Sequence, residues 1–312
     1  MTNPIHALYL RPKFGPRENA FFVTVPDFIN PSLPSPFFIE KSIDEPWSDA
    51  ELENAVELRI SLSSSLNEYT QKDHLIRAIN KTKNLRSLGV PADFVGGVNP
   101  DILKNLNSLR IWAPSSMNLF QKILETKEYS LPDIHFPKLR ILEFYMPFKY
   151  FTNFHPAHFP ALTWAAMELE DQDKSGASMK CFNEFKKFDG FQINSVKVPD
   201  LLSKIRTDIT ALYLWSIRSR KFGFDVLATF GELKHLWLHG FSGDFDFKWI
   251  SSLSQLESIQ ITSFNAFQNI QEIYKLEKLK SIELQCSKIK IKSHDLAELQ
   301  KFCTAQSIEL AL

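Results

Sequence analysis

ITALYL at residues 209–214, LKHLWL at 233–238, LESIQI at 256–261 and LKSIEL at 279–284 are one pattern written four times, at steps of 24, 23 and 23 residues. Each copy holds an apolar residue, two variable ones, an apolar residue, one variable one and a last apolar residue. Outward from this stretch the spacing recurs at Ala55-Leu58-Ile60, Leu85-Leu88-Val90, Leu106-Leu109-Ile111, Leu139-Leu142-Phe144, Leu162-Ala165-Met167, Phe188-Phe191-Ile193 and Ala305-Ile308-Leu310. Successive starts lie 30, 21, 33, 23, 26, 21, 24, 23, 23 and 26 residues apart. The copies at Ala55, Leu162 and Phe188 are degenerate. One such triplet carries nothing, because apolar pairs are common in any strand. Eleven at near-regular spacing mark an internal repeat.

A repeat of this length and core resembles the leucine-rich repeat family, over roughly four fifths of the chain. The resemblance implies an α/β fold, a solenoid or horseshoe with a parallel β-sheet on its concave face and helices or irregular segments on its convex face. Residues 51–312 then form about 11 repeats, with the last helix and strand as a C-terminal cap. Residues 1–50 hold eight of the 17 prolines, all within the first 46 positions, so they read as an irregular N-terminal cap over an otherwise open core. The family usually carries Asn or Cys three residues after the third apolar position, to satisfy backbone groups in the turn. Here those positions hold Ser63, Asp93, Pro114, Pro147, Glu170, Val196, Ile217, Phe241, Phe264 and Ser287, which excludes an asparagine ladder. An irregular, aromatic-packed horseshoe follows, its interior filled by Phe222, Phe224, Phe230, Phe241, Phe245, Phe247, Phe264 and Phe267 from between the strands.

Composition narrows the function classes. Lys and Arg number 36 against 36 Asp and Glu, and the pI is near 7.1. No whole-protein field therefore draws in nucleic acid or an anionic membrane. No run approaches the ~18 apolar residues of a membrane span, and residues 1–16 lack an apolar leader core. Three cysteines (Cys181, Cys286 and Cys303) form no C-x-x-C pair and no disulfide-rich cap, which fits a reducing, cytoplasmic setting.

Helical periodicity lies between the triplets: Leu75, Ile76 and Ile79 after Asp73; Leu119, Phe120, Ile123 and Leu124 after Asn118; Phe267, Ile270, Ile273 and Leu276; and Leu296, Leu299, Phe302 and Cys303 after Ser293. Cys303 reads as a buried small apolar residue. Residues 170–180 read as a polar loop. The proline-interrupted aromatic segment 145–160 either packs inward or offers a contact site.

Strand alternation identifies the working face. If Leu212 and Leu214 point into the core, Ala211, Tyr213 and Trp215 point to the open sheet. The same register puts Trp112, Glu143, Tyr145, Trp164, Glu168, Tyr213, Trp215, His235, Trp237 and His239 on that face in the middle repeats, with polar residues toward both ends. An aromatic centre with a polar rim is the anatomy of a protein interface. The competing reading is that these rings pack on one another across neighbouring strands. On the interface reading the rings are exposed, and Tyr213→Ala with Trp237→Ala abolishes binding but spares the fold. Glu143, Glu168 and Glu283 outnumber the nearby Arg110, so the expected partner is a neutral or basic protein.

Catalytic and cofactor signatures are absent: no phosphate loop, nucleophile elbow, zinc-protease helix or dinucleotide fingerprint occurs. His155-x-x-His158 with Cys181 is a poor zinc set, and His235 and His239 sit about 13 Å apart on one strand. No catalytic residue, metal or cofactor is expected. The sequence reads as a non-catalytic binding module, a monomer by itself, in the manner of an inhibitor or immunity protein that clamps a toxin or nuclease. A substrate-recognition subunit or scaffold, for instance of a ubiquitin ligase, and glycan binding by aromatic stacking are the alternatives.

Overall fold

The computed structural model describes residues 38–42, 48–61, 72–112, 129–147, 151–152, 154–168, 181–186, 188–194, 199–215, 224–239, 243–286 and 291–312. They fall into two compact units: a first reaching Glu168 and taking in Glu184–Phe188, and a second comprising Asp189–Leu312 with the segment that ends at Asn183.

The first unit contains β1 (Phe38–Ser42), α1 (Asp49–Asn54), β2 (Glu57–Ser61), α2 (Lys72–Lys81), β3 (Ser87–Pro91), α3 (Ala92–Val95), α4 (Pro100–Asn105), β4 (Ser108–Trp112), β5 (Tyr129–Ser130), β6 (Ile141–Pro147), β7 (Phe151–Thr152) and β8 (Trp164–Glu168). Its sheet runs β1-β2-β3-β4-β6-β8, every neighbour parallel. The second unit contains β9 (Gly190–Asn194), β10 (Ala211–Trp215), β11 (His235–His239), β12 (Asp244–Asp246), β13 (Ser258–Phe264), β14 (Ala266–Gln268), β15 (Ser281–Cys286), α5 (Ser293–Gln306) and β16 (Glu309–Ala311). Its sheet runs β9-β10-β11-β13-β15-β16, again all parallel. One strand per repeat in a parallel stack is the α/β leucine-rich-repeat architecture.

In every triplet from Ala55 to Leu279 the second and third apolar residues fall on a strand, which begins two residues after the first. Phe191, Leu212, Leu236, Ile259 and Ile282 stand side by side in successive strands and are all buried. Just before most strands a three-residue turn seats two core residues. In these turns Leu106 N–H donates to Leu103, Leu139 to Phe136, Leu162 to Phe159, Leu233 to Phe230 and Leu256 to Leu253.

The repeats are joined by main-chain atoms. The carbonyls of Val56, Arg86, Asn107 and Arg140 in the first unit each accept two consecutive N–H groups from the next repeat, at 2.6–3.1 Å. Those of Asp189, Thr210, Lys234 and Glu257 do the same in the second, at 2.7–3.3 Å. These bonds satisfy the strand entries where no asparagine ladder exists.

Four departures have physical causes. β1 adds a strand within the proline-rich N-terminal region, where the triplet is missing. The last repeat pairs Ile282 with Leu310, two residues beyond the Ala305-Ile308-Leu310 alignment. The reason is that α5 continues to Gln306 and ends on Ser307 in the left-handed region (φ 57°) before the strand begins. In β6 the register slips between Glu143 and Pro147, so Glu168 stands opposite Pro147 rather than Tyr145. In β13, Ser263 (φ 70°) is an extra residue between Thr262, opposite Gln285, and Phe264, opposite Cys286.

Opposite the sheet, α2 and α5 occur where the periodicity placed helices. The segment from Phe267 does not become one. Phe267 enters β14, and residues Ile270–Lys275 form a 3-10 turn, as do Pro199–Lys204, Phe224–Thr229 and Phe247–Ser252. Each of these turns is six residues long, a length at which single-turn α geometry also occurs, as α1 and α4 show. The helix expected over 118–124 and the loop at 170–180 lie outside the described residues.

Phe230, Phe245, Phe247 and Phe264 are fully buried, with Phe224 and Phe267 partly so; Phe222 and Phe241 lie outside the described residues. Phe245 meets Phe224, Phe247, Trp249 and Phe264 at centroid distances of 4.7–5.7 Å, mostly edge to face. In the first unit Phe159 stacks between Phe136 and Phe154 at 4.9 and 5.1 Å, so this part of the 145–160 segment packs inward. Cys303 is buried, and burial raises its thiol pKa.

Candidate functional site

The first unit holds five of the ten candidate residues. Glu143 is only 1% exposed, and Arg110, its direct register partner in β4, donates to it through Nε. Its charge is thus engaged inside the sheet by Arg110. Trp164 is also buried, at the first position of β8. Trp112 is half-buried at the end of β4 and stands opposite Tyr145. The side chains of Tyr145 and Glu168 lie outside the described ones.

The second unit brings the other five together. Parallel, in-register pairing puts Tyr213 beside Trp237 and Trp215 beside His239. At a strand spacing of about 4.8 Å, flat rings at equal positions fall face to face. Tyr213 and Trp237 stack at 4.0 Å and 10°, and Trp215 and His239 stack at 3.8 Å and 17°. The pairs meet edge-on, with Tyr213 to Trp215 at 5.8 Å and Trp215 to Trp237 at 6.4 Å.

This stacking corrects the expected exposure: Tyr213 is 3% and Trp237 4% exposed, and His235 is buried too. Only Trp215 and His239 are half-open, at the carboxyl ends of their strands. Each ring covers its neighbour's face, which alternation by itself does not reveal. Substituting Tyr213 and Trp237 therefore tests the fold before it tests binding.

Both histidines bond to the residue at the same position one repeat on. His235 Nδ1 lies 2.9 Å from Ser258 Oγ, and His239 Nδ1 bonds Thr262 Oγ1. The sequence signal for these partners is their equal position in consecutive copies of the repeat. Burial lowers the His239 pKa from 6.5 to about 4, so its ring is neutral at physiological pH. Below pH 6.5 the unfolded chain takes a proton that the folded chain refuses. Stability is therefore full above about pH 6.5 and declines as pH falls toward 4. His239 is expected to supply about 1–2 kcal/mol of that loss, allowing for screening at its open edge. Urea midpoints at pH 7 and 4.5 check this, because His239→Gln should flatten the difference; an unchanged slope would show that His239 does not cause it.

Beyond the rings the face becomes polar. Gln260 and Glu283 continue the row of Tyr213 and Trp237, while Thr262 and Gln285 continue that of Trp215 and His239. Glu283 is half-buried, and desolvation raises its pKa against one opposing hydrogen bond from Gln260.

Neither unit assembles a metal-holding cluster from the described residues. His158 lies near His155, His135 and Asp133 in the first unit, yet among the described residues no group of three or more His, Cys, Asp or Glu is placed to hold an ion. No helix among them is long and apolar enough to cross a membrane.

No family model and no curated protein matches the sequence. Among solved structures the chain is similar to an internalin (inlF) from Listeria monocytogenes, at 14% identity and a TM-score of 0.36, over 85% of this chain and 88% of that one. The leucine-rich-repeat assignment rests instead on the parallel one-strand-per-repeat stack, and the chain is an α/β repeat protein of that architecture.

Proposed function

We propose that this chain is a non-catalytic protein-binding module that uses the open face of its second unit. The observation that carries the reading is the stacked ring grid of β10 and β11, rigid and half-open at Trp215 and His239. Rigid aromatics contribute large contact area at little entropic cost, and interface energy concentrates on such anchors. The partner is a neutral or basic protein, and the most concrete version is a cytoplasmic, monomeric inhibitor or immunity protein clamping a toxin or nuclease. A recognition subunit or scaffold of a larger complex, such as a ubiquitin ligase, uses the same face with a different outcome. Glycan binding fits less well, since sugars stack on ring faces and here the faces of Tyr213, Trp237, Trp215 and His239 cover one another.

The test compares wild type with Trp215→Ala/His239→Ala in an affinity capture from native lysate, followed by titration of the captured protein. A single partner at 1:1 ratio, bound about thirtyfold more weakly or worse by the variant, supports the clamp. Equal capture by both folded proteins would remove this face from the function.

A further inference from the structure

Three described carboxylates in the second unit are met by lysine or arginine, and two of them, Glu257 and Glu272, are half-buried like Glu283. Arg206 holds Asp208, Lys275 holds Glu272, and Lys280 with Lys234 flanks Glu257. Glu283 differs: among the described residues no Lys, Arg or His lies within ion-pair distance of it. Its register neighbours are Gln260 on one side and Ala311, a methyl group and exposed, on the other. Gln285, two residues along the strand, is exposed as well. His239, in the adjoining row, carries no charge at neutral pH and is engaged by Thr262. A half-buried carboxylate whose register neighbours are an amide on one flank and a methyl group on the other has no cationic partner among the described residues, and partial burial disfavours its ionised form unless a cation arrives.

We propose that Glu283 seats an arginine side chain of the bound protein, with the side-chain oxygens of Gln260 and Gln285 accepting its remaining N–H groups. Arginine fits better than lysine because its guanidinium is weakly hydrated and forks onto a carboxylate while keeping donors for flanking amides. This deepens the protein-binding reading, on which it rests, by naming the partner's contact residue.

The experiment uses the full chain and two short Gly/Ser peptides, one with a central arginine and one with citrulline, its uncharged counterpart. Binding is followed through the NMR signal of the Gln260 side-chain amide. The arginine peptide is expected to shift that signal saturably, about tenfold more tightly than the citrulline peptide. Glu283→Gln should abolish the difference, and Glu277→Gln, on an exposed turn, should not. Equal binding of the two peptides, no shift with either, or an arginine preference that survives in Glu283→Gln overturns the proposal. The citrulline comparison is made on the unmodified chain, so it decides even if a variant folds poorly. A partner captured through Trp215 and His239 without any arginine preference leaves the clamp standing and removes only this contact.

Discussion

Replacing Arg110 by Met is expected to destabilise the first unit by about 3–5 kcal/mol, whereas Arg110→Met combined with Glu143→Leu returns to within about 1 kcal/mol of wild type. The guanidinium and carboxylate sit directly opposite one another in β4 and β6, with side chains 7% and 2% exposed. Removing one partner strands the other charge in a dry site, and the desolvation that the pair had offset becomes uncompensated. Removing both leaves two apolar side chains of similar volume. Urea midpoints of the wild type, both single variants and the double variant form the cycle. Single variants within 1 kcal/mol of wild type would mean that water reaches the pair.

Trp237→Ala is expected to cost about 3–5 kcal/mol, the range for deleting a buried tryptophan, while Trp237→Phe keeps most of the stability. The ring is almost wholly buried and stacked on Tyr213, so truncation opens a cavity in the middle of β10 and β11. Tyr213→Ala on the same background should cost less than on the wild type, because the shared contact is already gone. Near-ultraviolet circular dichroism with urea titration measures both. A Trp237→Ala protein as stable as wild type would place that ring outside the packed face. Trp215→Ala, at the half-open rim, should cost far less and serves as the binding variant.

The triplet rule located ten repeat strands, and the reason is physical: the fold buries three side chains per repeat at fixed offsets, and those positions must be apolar. It failed where other constraints govern. At the last repeat the length of α5 sets the start of the strand, and in β1 pairing with β2 needs no triplet. The open face was legible in membership and not in state. Alternation assigns Tyr213 and Trp237 to one side of a sheet, but their burial depends on ring orientation across strands, which no single repeat encodes. The Arg110–Glu143 bridge was within reach of the sequence, since both residues hold the middle position of consecutive copies.

Joining repeats through main-chain carbonyls has a consequence for how this chain can diverge. An asparagine ladder demands one residue type at every joint. Here the accepting positions are occupied by Val56, Arg86, Asn107, Arg140, Asp189, Thr210, Lys234 and Glu257, which share no chemistry beyond the peptide group. The joint instead forbids one residue type, proline, at each donating position, because proline has no N–H to give. A rule written as a prohibition leaves almost no consensus behind, so the joints can persist while the letters around them drift freely.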